Sequence, residues 1–385
     1  MNEEVIELHR EHTGVLSMEN EINVRNSREL ALAYTPGVAE LSKLIERNPE
    51  LAREYTISGK CIAVITDGTA VLGLGNVGPQ AGLPIVEGKA LLYKSLAGVD
   101  AFPIAIKQGS VDEAVNTIKN LELTFAGIHL EDIQAPTCFE IEERLQKELS
   151  IPVYHDDQEG TAIVVLAGLI NAAKLINRPL SELKVLITGI GASGIATANL
   201  LYAAGITQLT LVDIDGVLSK HKNCSNPYQE ALVEKIDYKV EAETLAEAIV
   251  GQHVFIGLSD ANIVTKEMVA SMAENPIIFA LANPVPEIHP DVAKTGGASI
   301  IGTGSSNFPN QINNILAFPG LFKGLLEMKV NAVTLDLQIK VAEAIAGLVP
   351  EPTPEKFVPG IFDEGVVEEV TQSVRNYKIK EEALV

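Results

Sequence analysis

The sequence predicts an α/β protein of two domains with a helical tail. Two runs predict it, one starting at Cys61 and one at Lys184, in which apolar strand-like stretches alternate with helix-like ones. Alternation of this kind builds βαβ units around a mostly parallel sheet. The 385 residues are ample for two such domains.

Up to about Ser58 the chain reads as helix and irregular structure. Leu30, Leu32 and Val38 surround a Pro36-Gly37 turn, and a helix-like pattern continues through Ala52. The first alternating run is CIAVIT, VEGKALLYKSLAG, AFPIAI, VDEAVNTIKNL, FAGIHL, TCFEIEERLQKEL and IPVYH. A strong helix over 161–176 follows, ended by Asn177, Arg178 and Pro179. The second run is KVLITG, ATANLLYAAG, LTLVD, a helical stretch, HVFIGLS, IIFALANP and SIIGTG. Beyond Gly304 the pattern predicts helices over 310–328 and 334–348, then a proline-rich loop and a last amphipathic helix. The boundary falls near Asp157, giving domains 1–157 and 158–385 with the helix of the 160s as connector.

Composition excludes several classes. A formal charge of −22 argues against a nucleic-acid partner, which wants a basic stripe, and against an anionic membrane surface. The three cysteines, Cys61, Cys138 and Cys224, are too scattered for a disulfide framework or a metal finger, which points to a reducing cytoplasm. The charged N-terminus carries no signal-like apolar stretch, and no apolar run is long enough to span a bilayer. A soluble, cytoplasmic protein is expected.

Two acidic clusters carry chemistry. Glu131 and Asp132 follow the strand-like stretch ending at Leu130, and Asp156 and Asp157 follow the one ending near Tyr154. Carboxylates at strand ends face the crevice where open α/β sheets bind ligands. Several hard oxygens converging there suit Mg²⁺ or Mn²⁺.

The pattern G-x-G-x-x-G occurs twice. Gly73, Gly75 and Gly78 run straight into Pro79, which predicts a tight loop with no helix opening on the third glycine. Gly189, Gly191 and Gly194 instead follow the strand KVLIT and open a helix through Ala192, Ser193 and Ile195. Helix N-terminal N–H groups there would face a pyrophosphate, so the second domain is Rossmann-like. The next strand ends at Asp213, where a carboxylate would accept from a ribose 2′-OH and repel a 2′-phosphate, favouring NAD over NADP.

Tyr34 before the Pro36 turn and Lys89 in EGKA are the candidate proton handlers. With YTPGVAE, VITDGTAVLGLGNVGP, VEGKALL, the LED and HDDQ clusters, GIGASG, FALANPVPE and FPNQINNILAFPG in that order, nearly the whole chain resembles the malic enzyme family in its short bacterial form. The resemblance implies a malic-type N-terminal α/β domain and conversion of L-malate to pyruvate and CO₂ with NAD and a divalent metal, with oxaloacetate also decarboxylated. It implies Glu131, Asp132 and Asp157 as metal ligands and Asp156 as their orienter. Lys89 would take the C2 hydroxyl proton, and Tyr34 would protonate C3 of enolpyruvate. Asn283 and Asn313 would contact substrate and nicotinamide, and a homodimer or higher homo-oligomer would use the N-terminal segment as a contact.

Some positions depart from the family. The stretch from Asp67 to Ala70 lacks the arginine of the larger animal-type enzymes, as does the short bacterial form. Ser305, Ser306 and Asn307 stand where relatives commonly carry Arg-Ser-Asp, and Glu159 stands where histidine is frequent, adding negative charge near the metal cluster. An oxaloacetate decarboxylase with little malate oxidation is the alternative these changes suggest. A malolactic variant and a regulatory nucleotide-binding protein with a dead site are weaker readings.

Overall fold

The computed structural model describes residues 2–71, 73–220 and 222–377; Leu72, directly before the first glycine run, lies outside them. The first alternating run forms a four-stranded parallel sheet of β1 (Cys61–Thr66), β2 (Asp100–Ala105), β3 (Gly127–Glu131) and β4 (Val153–His155), in the order β2-β1-β3-β4. The second run forms a sheet of β5 (Lys184–Thr188), β6 (Gln208–Asp213), β7 (Gly216–Val217), β8 (Val254–Gly257), β9 (Ile277–Ala280) and β10 (Ile300–Thr303). Its order is β10-β9-β8-β5-β6-β7, parallel except for the short β7, which runs antiparallel to β6. Strand order reverses beside β5, so the glycine-rich turn after β5 sits at a topological switch point.

The strands read as apolar runs because helices cover both faces. Every residue of β1 and β3 is buried, as is β5 beyond Lys184. The proline of AFPIAI is accommodated because β2 is an edge strand, where a missing N–H leaves no broken ladder. The helix Thr161–Leu175 joins the sheets and buries both its faces, packing against the helices Ala192–Ala203 and Leu335–Gly347. One apolar core therefore runs from Ile62 and Leu130 through Ile163 and Leu166 to Val185 and Ile187. The N-terminal segment stays outside it: helices Ser27–Ala33 and Gly37–Arg47 bury no residue. Among the described residues no helix is long and apolar enough to cross a membrane.

Three expectations need correction. A helix, Pro79–Leu92, does open directly after the first glycine run, with Gly78 as its N-cap. Proline is well suited to the first helical position, where its missing N–H would have no partner anyway. Lys89 consequently lies in the last turn of that helix and does not open one. The stretch 310–317 is not an extension of the Phe318–Met328 helix. Asn310 takes a left-handed conformation, and its side chain bonds Phe357 N–H and the Pro354 carbonyl, which ties the segment to the end of β10 and the proline-rich loop.

The last helices approach closely because glycines face the contact. A Cβ at Gly320 of Phe318–Met328 would lie 2.7 Å from the Val367 carbonyl and 2.7 Å from Val370 Cβ of Val366–Arg375. Alanine is worth up to about 1 kcal/mol more than glycine inside an exposed helix. Here the clash outweighs that gain, so Gly320→Ala is expected to lower stability by about 1–3 kcal/mol, read as a fall in Tm. A Tm at or above the parent's would refute the close-packing account.

Candidate active site

Parallel pairing in register assembles the acidic clusters. Thr66 pairs with Glu131 and Leu130 pairs with His155, so the residues just past β3 and β4 emerge at one sheet edge. From β4 the chain enters a single wide turn, Asp156–Gly160, of the π type common at functional sites. Asp132 holds a left-handed backbone conformation (φ 56°) that a non-glycine residue adopts at some strain. Its N–H donates to Asp157 Oδ2 at 2.9 Å, which locks the two clusters together.

Lys89 reaches this edge from the Pro79–Leu92 helix. Its ammonium bonds Asp156 Oδ2, lies 3.2 Å from Glu131 Oε1 and sits 4.8 Å above the Phe318 ring. Each carboxylate's other oxygen is also held: Tyr154 Oη donates to Asp156 Oδ1 at 2.6 Å, and His129 Nε2 lies 2.8 Å from Glu131 Oε2. A carboxylate only accepts, so His129 carries its proton on Nε2, and Nδ1 accepts from Tyr93 Oη at 2.8 Å. Tyr93, His129, Tyr154, Phe318 and Phe322 pack edge-on around the group and exclude water.

This environment sets the charges. Burial opposes the charge on Lys89, but Asp156 and Glu131 outweigh it and hold the ammonium above its usual range. Burial likewise opposes ionisation of Glu131, yet Lys89 and His129 hold it down at about 2. Asp132 is pushed up to about 7 by burial and then by Glu131. Desolvation in the cleft, with Glu131 and Asp132 beside it, raises Asp157 well above the ordinary range. Glu159, expected to add charge beside the cluster, is instead held back from its charged form. It turns to accept the His155 N–H at 2.7 Å, and burial beside Glu142 pushes its carboxyl strongly towards the neutral form.

Oxygen atoms of Glu131, Asp132 and Asp157 all lie within 4.8 Å of one another, and Asp132 Oδ2 is buried without a hydrogen-bond partner. Hard oxygens, crowded anions and an orphaned acceptor together fit a divalent cation of the Mg²⁺ or Mn²⁺ kind. Asp157 also lines a cavity of about 480 Å³ with Gly73, Ser193, Asn283 and Asn313. Asn313 Oδ1 caps the short turn Asn314–Leu316 by accepting from Ile315 N–H, a bond that does not use its NH₂.

The second glycine motif is built as its spacing predicts. Gly189, at φ 80°, donates its N–H to the Val212 carbonyl, and Gly191 caps the helix Ala192–Ala203. A Cβ at Gly191 would meet nothing within 4 Å, so open space faces the free N–H groups of the helix start. At Gly194 a Cβ would strike the Gly189 carbonyl, which is why loop and helix close up there. Ile195 is buried in the core, and Ser193 Oγ donates to the Asp157 carbonyl at 2.7 Å. Asp213, at the end of β6, accepts from Ile214 N–H at 3.0 Å and from Gln229 Nε2 at 2.7 Å.

Tyr34 alone of the candidates stands apart. It is 63% exposed on the N-terminal segment, and its hydroxyl makes no hydrogen bond among the described residues. Sequence reading missed Tyr93, His129 and Tyr154. Tyr93 follows Lys89 by one helical turn, and His129 and Tyr154 precede Glu131 and Asp156 by two strand positions, so period alone could have found them.

The malic enzyme N-terminal domain family matches residues 13–146, and the malic enzyme NAD binding domain family matches residues 158–375. The chain belongs to the malic enzyme family. It is 48% identical to the bifunctional malic/malolactic enzyme of Bacillus subtilis, across 97% of this chain and 92% of that one. It is 42% identical to the NADP-dependent malic enzyme of Halomonas elongata, across 89% and 81%. The crystal structure of the NAD-dependent malic enzyme of Thermotoga maritima superposes with a TM-score of 0.93 at 41% identity, over 96% of this chain and 98% of that one. Relatives in the malic enzyme family thus carry both dinucleotide preferences.

Asp132 and Asp157 must lose their protons before they can ligate a cation, and both hold them more tightly than an ordinary carboxyl. Affinity for Mn²⁺ should therefore rise as pH rises through about 7, with protons released on binding. Calorimetric titrations in buffers of different ionisation enthalpy measure both; an affinity indifferent to pH between about 6 and 8 would refute the ligand set.

Proposed function

We propose that the chain catalyses oxidative decarboxylation of L-malate to pyruvate and CO₂, with NAD and a divalent cation held by Glu131, Asp132 and Asp157. The observation that carries this reading is Lys89, buried between Glu131 and Asp156 beside the oxygen cluster, whose Asp157 lines the cavity that Ser193 of the glycine-rich helix also lines. When bound, the cation would polarise the oxygen on C2 and the nicotinamide would take up hydride. Lys89 takes the proton of the C2 hydroxyl, which requires a neutral amine. Its ammonium is held by two carboxylates, and committing Glu131 to a cation leaves only Asp156 opposite it. Asp156, oriented by Tyr154, is then placed to receive the Lys89 proton. Asn283 and Asn313 offer amide donors to substrate without adding charge.

Asp213 supports NAD over NADP, since its carboxylate accepts from a ribose hydroxyl and repels a phosphate. Tyr34 is the acid for C3 in this reading. Tyr34 lies in the N-terminal segment, where Met18 and Leu32 are also exposed, 84% and 70%, and a second copy of the chain would cover such side chains. Free cysteines suit the cytoplasm as the site of action. Decarboxylation of oxaloacetate without malate oxidation is not favoured, because the helix start and its ribose acid are intact.

Pure protein given L-malate, NAD⁺ and Mn²⁺ should form NADH and pyruvate in equal amounts. Lactate in place of NADH would identify the malolactic reaction. Lys89→Ala should lower kcat by about 10²–10⁴-fold with folding intact. Undiminished NADH formation by that variant would remove Lys89 as the base.

A further inference from the structure

Gln229 is a glutamine only 2% exposed, in the first turn of the helix Pro227–Ile236. Its Oε1 accepts from Ser225 N–H at 2.8 Å and Ser225 Oγ at 3.1 Å, and that backbone donor fixes which end of the amide is oxygen. The NH₂ therefore faces the other way. It donates to the Ile190 carbonyl at 2.8 Å and to Asp213 Oδ2 at 2.7 Å. Ile190 lies between Gly189 and Gly191, so one amide spans the glycine-rich loop and the acid across from it. An amide secures a carboxylate without cancelling its charge. The lysines of the loop beyond β7 are committed elsewhere, Lys220 to Asp237 and Lys222 to Glu243.

We propose that Gln229 is a specificity-determining positioning residue that fixes Asp213 beside the glycine-rich loop as an uncompensated anion, so that a dinucleotide with a free ribose 2′-hydroxyl is preferred over one with a 2′-phosphate. The proposal rests on the reading of Asp213 as the ribose acceptor. With Gln229 in place, Asp213 keeps spare acceptor capacity on both oxygens for the diol. Without it the carboxylate can swing to solvent, and both the attraction for the diol and the repulsion of a phosphate fall together.

The test is equilibrium binding of NADH and of NADPH, read from the fluorescence of the dinucleotide, so that turnover is not involved. The parent should bind NADH more tightly. Gln229→Met should weaken NADH binding roughly tenfold, the worth of one hydrogen bond to a charged group, and leave NADPH binding equal or stronger. Asp213→Ala should collapse the preference in the same way, and the double variant should go no further. Should Gln229→Met fail to fold, Gln229→Asn, too short to span loop and acid, reads out the same ratio. A preference lost in Asp213→Ala but kept in the Gln229 variants, or equal weakening of both dinucleotides by them, overturns the role of Gln229 alone. A parent that prefers NADPH, or an Asp213→Ala variant that keeps the NADH preference, overturns the ribose reading itself.

Discussion

Lys89 brings a full positive charge to a place where its side chain is only 12% exposed, and such burial is tolerated only when carboxylates meet it with good geometry. The chain supplies two, each pinned at its second oxygen by a buried donor, His129 for Glu131 and Tyr154 for Asp156. Removing either donor would free a carboxylate to turn, and removing either carboxylate would leave a buried charge half met, a loss of about 3–5 kcal/mol in comparable pairs. The aromatic shell of Tyr93, Phe318 and Phe322 depends on the same arrangement, since the His129 tautomer that Glu131 sets leaves Nδ1 to accept from Tyr93.

Four carboxylates, Glu131, Asp132, Asp156 and Asp157, crowd the cleft around a single ammonium that only Glu131 and Asp156 contact. The imbalance explains why the titration of the acids diverges. Glu131, against Lys89, is held down at about 2, whereas Asp132 and Asp157, one step removed from it, are raised. A cleft in this state is poised for a dication, which would replace the held protons as the counter-charge. Glu159 and Glu142 show the other resolution open to crowded acids. They are sealed from any cation, and burial pushes Glu142 up to about 7 and Glu159 strongly upward.

Features built from local period were legible in the chain. The two βαβ runs, the apolar strands and the second glycine loop follow from alternation, helix spacing and the backbone freedom of Gly189. The acid clusters were legible too, because a carboxylate just past an apolar strand has one place to go in a parallel sheet. Two local rules were misapplied: Pro79 stops a helix from continuing but suits its first position, and an amphipathic stretch beginning at Asn310 is helical only if its side chain is not needed to brace another loop. The push of Glu159 towards neutrality depends on Glu142 in a helix formed earlier in the chain, and Gln229 meets Ile190 only after the crossover from β5 to β6 and the β6–β7 hairpin. No spacing reports contacts of that kind.

The carboxylate cluster and the glycine-rich helix belong to different sheets, yet transfer between substrate and nicotinamide needs them in fixed relation. Ser193 supplies one tie by giving its hydroxyl hydrogen to the Asp157 carbonyl, while the backbone N–H groups at the same helix start remain for a phosphate. Gly73 supplies another: a Cβ there would come within 3.1 Å of Pro284 and 3.2 Å of the Asn283 carbonyl, so the loop of the first sheet rests directly on the ANP turn of the second. Because the Thr161–Leu175 helix is buried on both its faces, the sheets cannot shift against each other without opening the core. The distance from the carboxylate cluster to the glycine-rich helix is thereby a property of the packed core, and small side chains at Gly73 and Ser193 let the two halves meet across the cavity they share.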